Sequence, residues 1–150
     1  MVHKKNILVT GGSGMVGQAL KEILPDAIFV SSSECDLRSQ DQTFDLFHRI
    51  RPGKVFHLAA KVGGVKANSD YVGEFFYENM MINANVLEAS RIFNVGKVAS
   101  LLSTCVFPAK ADYPLTEAQV HNGEPHETNF GYAYAKRMLD VQSRAYRRQY

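Results

Sequence analysis

The chain of 150 residues is poor in cysteine, poor in net charge and free of long apolar runs, and each scarcity closes off a class of protein. Its two cysteines, Cys35 and Cys105, are too few and too ordinary in spacing for a disulfide framework. No CxxC pair or His/Cys cluster suggests a metal site, so no metal is expected and reduced thiols are the default. The 17 Lys and Arg against 15 Asp and Glu leave a formal charge of +2, without the concentrated basic stripe of a nucleic-acid binder. No apolar run approaches the roughly 20 residues that cross a bilayer. The opening Met1-Val2-His3-Lys4-Lys5 runs into a five-residue apolar stretch followed by glycines rather than a cleavage site, which does not read as a signal segment. The expectation is an ordinary soluble, cytoplasmic protein with no nucleic-acid or membrane partner. Its length allows one compact domain with a real core and leaves no room for a second complete one.

What is present is an alternation of short apolar runs with longer helical patterns, the mark of repeated βαβ units on a parallel sheet. Strands are expected at 6–10, 27–30, 54–59 and 97–102. Helices are expected from Met15 to about Leu24, around Phe44, Phe47 and Ile50, from about Tyr71 to Phe93, and from about Gly131 to the end. The stretch from Phe107 to Asn129, with Pro108, Pro114, Gly123 and Pro125, reads as largely loop. There is no internal repeat, low-complexity tract or linker. The last helical pattern is still running at Tyr150, so the sheet is expected to be truncated before its last strands and before a substrate lobe.

Gly11-Gly12-Ser13-Gly14-Met15-Val16-Gly17 lies between an expected strand and an expected helix, a context that gives a glycine pattern meaning. The GxxGxxG spacing puts Gly11 at a tight turn, Gly14 where backbone must approach a pyrophosphate, and Gly17 where helix packs on strand. Unpaired N–H groups at the helix start then hold the phosphates. At the end of the second strand, where NAD-preferring folds carry an acidic residue, stand Ser31, Ser32 and Ser33, whose donors suit a 2′-phosphate; NADP(H) is the expected cofactor. Arg38 can supply a cation there or simply be solvated, and Asp36 suits an adenine contact about as well as a helix N-cap.

Tyr132 and Lys136 are four apart on an expected helix and share a face. A phenol is a poor acid near neutrality, and a neighbouring ammonium lowers its pKa, so Lys136 is expected to tune Tyr132 and to reach the cofactor ribose. Ser103, just past the fourth strand, can donate to a carbonyl oxygen that gains charge as hydride arrives. Glycine turn, strand-end serine and YxxxK in this order form the signature of the short-chain dehydrogenases/reductases.

Read whole, the segments Val9 to Gly17, His57-Leu58-Ala59-Ala60-Lys61-Val62-Gly63-Gly64, Asn79 to Leu87, Ser103-Thr104-Cys105-Val106-Phe107-Pro108 and His121 to His126 resemble the GDP-L-fucose synthase family over nearly the whole chain. The resemblance implies a Rossmann-type doubly wound α/β fold and an NADPH-dependent 3,5-epimerase/4-reductase acting on GDP-4-keto-6-deoxy-D-mannose. It also implies cofactor contacts at Ser32, Asp36, Leu37, Ala59, Ala60, Leu102 and Lys136. Cys105 would be an epimerisation acid/base, paired with a histidine downstream of Tyr150, and a homodimer would form through the two long helices. His57 reads as structural, His121 and His126 as surface residues. Two alternatives stand beside this reading: an NAD-dependent sugar-nucleotide 4-epimerase or dehydratase, and a dinucleotide-binding fragment without turnover.

Overall fold

The computed structural model describes residues 6–150; the reading of Met1 to Lys5 lies outside them. The chain divides into two compact units. The first comprises the described residues up to Ala60 together with Ala84–Leu101, and the second Lys61–Asn83 with Leu102–Tyr150.

The first unit is built on four parallel strands, β1 (Ile7–Thr10), β2 (Ile28–Val30), β3 (Lys54–His57) and β4 (Lys97–Ser100), in the order β2-β1-β3-β4. Leu8, Val9 and Thr10 of β1 are all fully buried, because a central parallel strand is covered on both faces and therefore reads as a run rather than an alternation. Helix α1 (Met15–Ile23) follows β1, and α2 (Gln40–Ile50) follows β2. Ser39 starts α2 by accepting a hydrogen bond from the Gln42 N–H, and Arg51, in a left-handed conformation ahead of Pro52, stops it. Between them Leu46, Phe47 and Ile50 turn inward at helical spacing. Burying Phe47 alone is worth about 2 to 3 kcal/mol, and its ring packs with Phe44 against Phe93. Asn85 donates to the carbonyls of Leu37 and Arg38, tying its helix to the loop after β2.

The second unit holds α3 (Val65–Asp70), the first part of α4 (Val72–Ile92), α5 (Phe130–Gln149) and three short 3-10 turns at Thr104–Val106, Glu117–Gln119 and Glu127–Asn129. Helices α4 and α5 meet at backbone distance: a Cβ on Gly131 would lie 2.6 Å from the Val72 carbonyl oxygen. Asn83 adds a buried hydrogen bond to the Ala135 carbonyl. Fully buried Asn79 donates to the carbonyls of Lys61 and Phe75 and accepts from the Lys61 N–H, so one side chain fixes the segment entering this unit. Phe75 is buried and Phe76 exposed.

Two strand ends depart from the sequence-based expectation. The third and fourth strands end at His57 and Ser100, two residues earlier than expected. Helix α3 falls in a stretch to which the sequence pattern assigns no element; Asn68 rather than an apolar stripe organises it, donating to the carbonyls of Gly63 and Gly64. The 107–129 stretch is largely loop, as expected, with two of the 3-10 turns in it.

Candidate active site

In the first unit the glycines are required for separable reasons. Gly11 has φ +73, and a Cβ there would lie 2.7 Å from the Ala59 nitrogen, so the turn after β1 closes directly on the Leu58–Ala59 backbone that follows β3. Gly17 faces the turn's own backbone: a Cβ would sit 2.6 Å from the Gly11 oxygen and 2.8 Å from Gly12. Gly14 differs, since nothing but the Gly11 oxygen comes within 4 Å of its missing Cβ, at 3.3 Å. Protein packing does not demand a glycine there; close approach of a ligand would. No side chain caps α1, which leaves its first N–H groups for another acceptor, and Ser13, Gly14, Met15 and Val16 around that opening are exposed. Such a turn fits the pyrophosphate of a dinucleotide. Ala59 donates to the Thr10 hydroxyl, which also meets buried His57 at 2.9 Å, a structural role for that histidine.

The end of β2 holds a carboxylate that sequence reasoning missed. Glu34 folds back so that its Oε2 accepts from the Ser31 N–H at 2.8 Å and from the Ser31 hydroxyl at 2.7 Å. These bonds hold the Glu34 carboxyl below its usual range. Ser33 meets the same Ser31 hydroxyl at 2.8 Å, and Ser32 is exposed. Asp36 binds Arg38 through both carboxylate oxygens, which lowers the Asp36 pKa, and accepts from the Arg38 N–H as well. Asp36 is therefore not the cap of α2; Ser39 is. The Leu37 side chain is buried in the core, and burial pushes the Cys35 thiol up.

In the second unit Ser103, Cys105 and Tyr132 come together. Ser103 opens the Thr104–Val106 turn, its hydroxyl accepting from the Cys105 N–H at 3.3 Å. Ser103 lies near enough to the Tyr132 hydroxyl to favour its ionised form. Burial, then the charge of a Cys105 thiolate, push the Tyr132 phenol above its usual pKa, while Ser103 pulls the other way. Lys136 lies one helical turn on, 2% exposed, its Nζ 6.0 Å from the Tyr132 ring centroid. Desolvation lowers its pKa from 10.5 to about 8. Burial is the largest cause, so in this fold the phenol lies above its usual range rather than below it. Leu102, just before Ser103, is exposed.

Arg137 also went unread. It is 4% exposed, donating from Nε to the Val106 carbonyl and from Nη1 to the Gly123 carbonyl, each at 2.7 Å. The available signal was its place in the stripe of Ala133 and Lys136, at i+4 and i+1. His121 pairs with Asp140 at 2.9 Å and His126 caps a 3-10 turn, both at the surface. Among the described residues no group of His, Cys, Asp and Glu is arranged to hold a metal, and no helix is long and apolar enough to cross a membrane.

A parallel sheet whose first strand feeds an uncapped helix through a glycine turn defines the class of dinucleotide-binding α/β proteins. A family model described as the NAD dependent epimerase/dehydratase family matches residues 7–150, and the chain belongs to that family. It is 49% identical over 154 residues to the GDP-L-fucose synthase of Dictyostelium discoideum, covering 98% of this chain and 48% of that protein. It is 44% identical to a probable GDP-L-fucose synthase of Drosophila melanogaster, with 97% and 48% covered. Among solved structures, the crystal structure of a GDP-L-fucose synthetase from Naegleria fowleri bound to NADP superposes with a TM-score of 0.89 at 42% identity, over 99% of this chain and 50% of that one. The chain spans about half the length of the curated relatives it matches.

Proposed function

We propose that this chain supplies the cofactor turn and the catalytic side chains of an NADPH-dependent GDP-4-keto-6-deoxy-D-mannose 3,5-epimerase/4-reductase, the reaction that yields GDP-L-fucose. The observation that carries the reading is the meeting of Ser103, Cys105 and Tyr132, with Lys136 one helical turn beyond. Similarity to proteins named GDP-L-fucose synthase over almost the whole chain supports it.

NADPH supplies the hydride that reduces C4 of the sugar. The 4-ketone acidifies the protons on C3 and C5, and the Cys105 thiolate takes such a proton while Ser103 and Tyr132 donate hydrogen bonds to the enolate oxygen. Reprotonation on the opposite face, by an acid outside these 150 residues, inverts the centre. Tyr132 then gives its proton to the C4 oxygen as hydride arrives, which suits a phenol held protonated by burial. Gly14 and the first N–H groups of α1 suit the cofactor's pyrophosphate; Lys136 suits its ribose, and Ser32, Asp36, Leu37, Ala59, Ala60 and Leu102 complete the proposed contacts. A homodimer in the cytoplasm belongs to the same proposal. Incubating the full-length protein with the keto-sugar should consume NADPH stoichiometrically, and Tyr132→Phe should lower kcat about 10²-fold or more; undiminished turnover by that variant refutes the assignment.

The Glu34 carboxylate at the end of β2 favours one second reading, an NAD-dependent sugar-nucleotide 4-epimerase or dehydratase, because an acidic group there suits a free ribose 2′-hydroxyl. NAD retained through purification, with no NADPH consumption, would decide for it.

A further inference from the structure

Arg137 is a buried cation without a buried anion. No carboxylate among the described residues pairs with it, and its Nη2 is buried with no hydrogen-bond partner there. The face of Tyr134 lies 5.3 Å from its Cζ and shields it from water. Burying a guanidinium in this way is costly, and an apolar side chain of similar length would fill the same space without that cost. What the charge does instead is hold two carbonyls. Val106 follows Cys105 directly and closes the 3-10 turn that Ser103 opens, with the Val106 N–H on the Ser103 carbonyl at 3.1 Å. Gly123 lies at the far end of the intervening loop, packed on Pro108, and the Ala109 N–H donates to the next carbonyl, that of Glu124. One guanidinium therefore pins both limbs of the loop to α5, the helix that carries Tyr132 and Lys136.

We propose that Arg137 is a positioning residue for Cys105: its fork fixes the Val106 and Gly123 carbonyls and thereby sets the thiol's place beside Tyr132. The fork geometry matters, since Nε and Nη1 serve two acceptors at once and a lysine ammonium at the same position is a single point donor. Because Tyr132 and Lys136 sit on the helix itself, loosening the loop moves Cys105 and leaves the phenol and amine in place. Epimerisation should then suffer far more than cofactor binding.

The inference rests on the epimerase/reductase reading, and the test separates the two. In the full-length enzyme, Arg137→Lys and Arg137→Met are compared with the parent for deuterium wash-in from solvent at C3 and C5 of the keto-sugar, for NADPH affinity and for the rate of Cys105 alkylation by iodoacetamide. Misplacing a reacting group by about 1 Å costs on the order of 10²-fold. Wash-in should therefore fall about 10²-fold in Arg137→Met and less in Arg137→Lys, with NADPH affinity held within about 2-fold. Equal losses in wash-in and NADPH affinity, or unchanged wash-in, overturn the proposal. Should Arg137→Met fail to fold, Arg137→Lys alone decides by the same split. If the parent shows no wash-in, the epimerase reading fails by itself, and alkylation still judges the positioning: an altered Cys105 rate in Arg137→Lys supports it and an unchanged rate refutes it.

Discussion

Replacing Lys136 by Met should make the protein more stable at neutral pH while removing its reductase activity. The amine is 2% exposed, and desolvation lowers its pKa from 10.5 to about 8. At 1.36 kcal/mol per unit, the shift of about 2.5 units corresponds to roughly 3 kcal/mol held against the folded state when the lysine is charged. The sign follows from proton counts. Between pH 8 and 10.5 the unfolded chain keeps this proton and the folded chain has shed it, so stability rises with pH across that window, and the full penalty applies below pH 8. Lys136 makes an interaction of its own in the fold, and losing it costs about 1 kcal/mol. The Met variant should thus gain about 2 kcal/mol at pH 7, and the gap should close and then reverse as pH approaches 10. Urea midpoints of both proteins from pH 6 to 10 isolate this one group, because every other titration cancels in the difference. A gap that does not change with pH, or a Met variant less stable at pH 7, would refute the reasoning.

Other perturbations follow from single contacts. Gly17→Ala drives a methyl onto backbone atoms that cannot rotate away, and it should cost about 2 kcal/mol or more by denaturant midpoint and weaken dinucleotide binding in a fluorescence titration. Asn79→Ala removes three hydrogen bonds of a fully buried side chain and strands the Lys61 amide and carbonyl, for an expected loss of about 2 to 4 kcal/mol by the same measure. Glu34 occupies the two Ser31 donors that a 2′-phosphate would use, so Glu34→Gln should tighten NADPH about 10-fold while changing NADH little; equal effects on both by calorimetry would rule out that competition.

The parts of the fold that could be read from the residues are those where one physical demand dominates. Leu8 and Val9 sit in a strand buried on both faces, Phe47 and Ile50 keep helical spacing, and Gly11 needs a left-handed turn. What escaped depends on side chains bonding to backbone, which leaves no periodic trace. Asn68 builds α3 by gripping two glycine carbonyls, and Glu34 loops back three residues within a serine-rich stretch that looks merely polar. Arg137 was passed over because a charge beside YxxxK reads as solvent-facing, although the small residues Ala133 and Ala135 around it mark a helix side pressed against its neighbours. The proximity of Ser103 to Tyr132 lies across 29 positions of sequence, a distance no local pattern spans. The direction of the Tyr132 shift escaped for a related reason: sequence supplies the neighbouring amine but not the depth at which both are buried.

The placement of β4 at the rim of the sheet carries a practical consequence. Among the described residues it pairs with β3 on one flank only, and Leu101 and Leu102 emerge exposed from its end. An edge strand bordered by exposed leucine is adhesive: kept as these 150 residues, the protein should self-associate as its concentration rises, and a soluble preparation will depend on giving that rim another strand to hold.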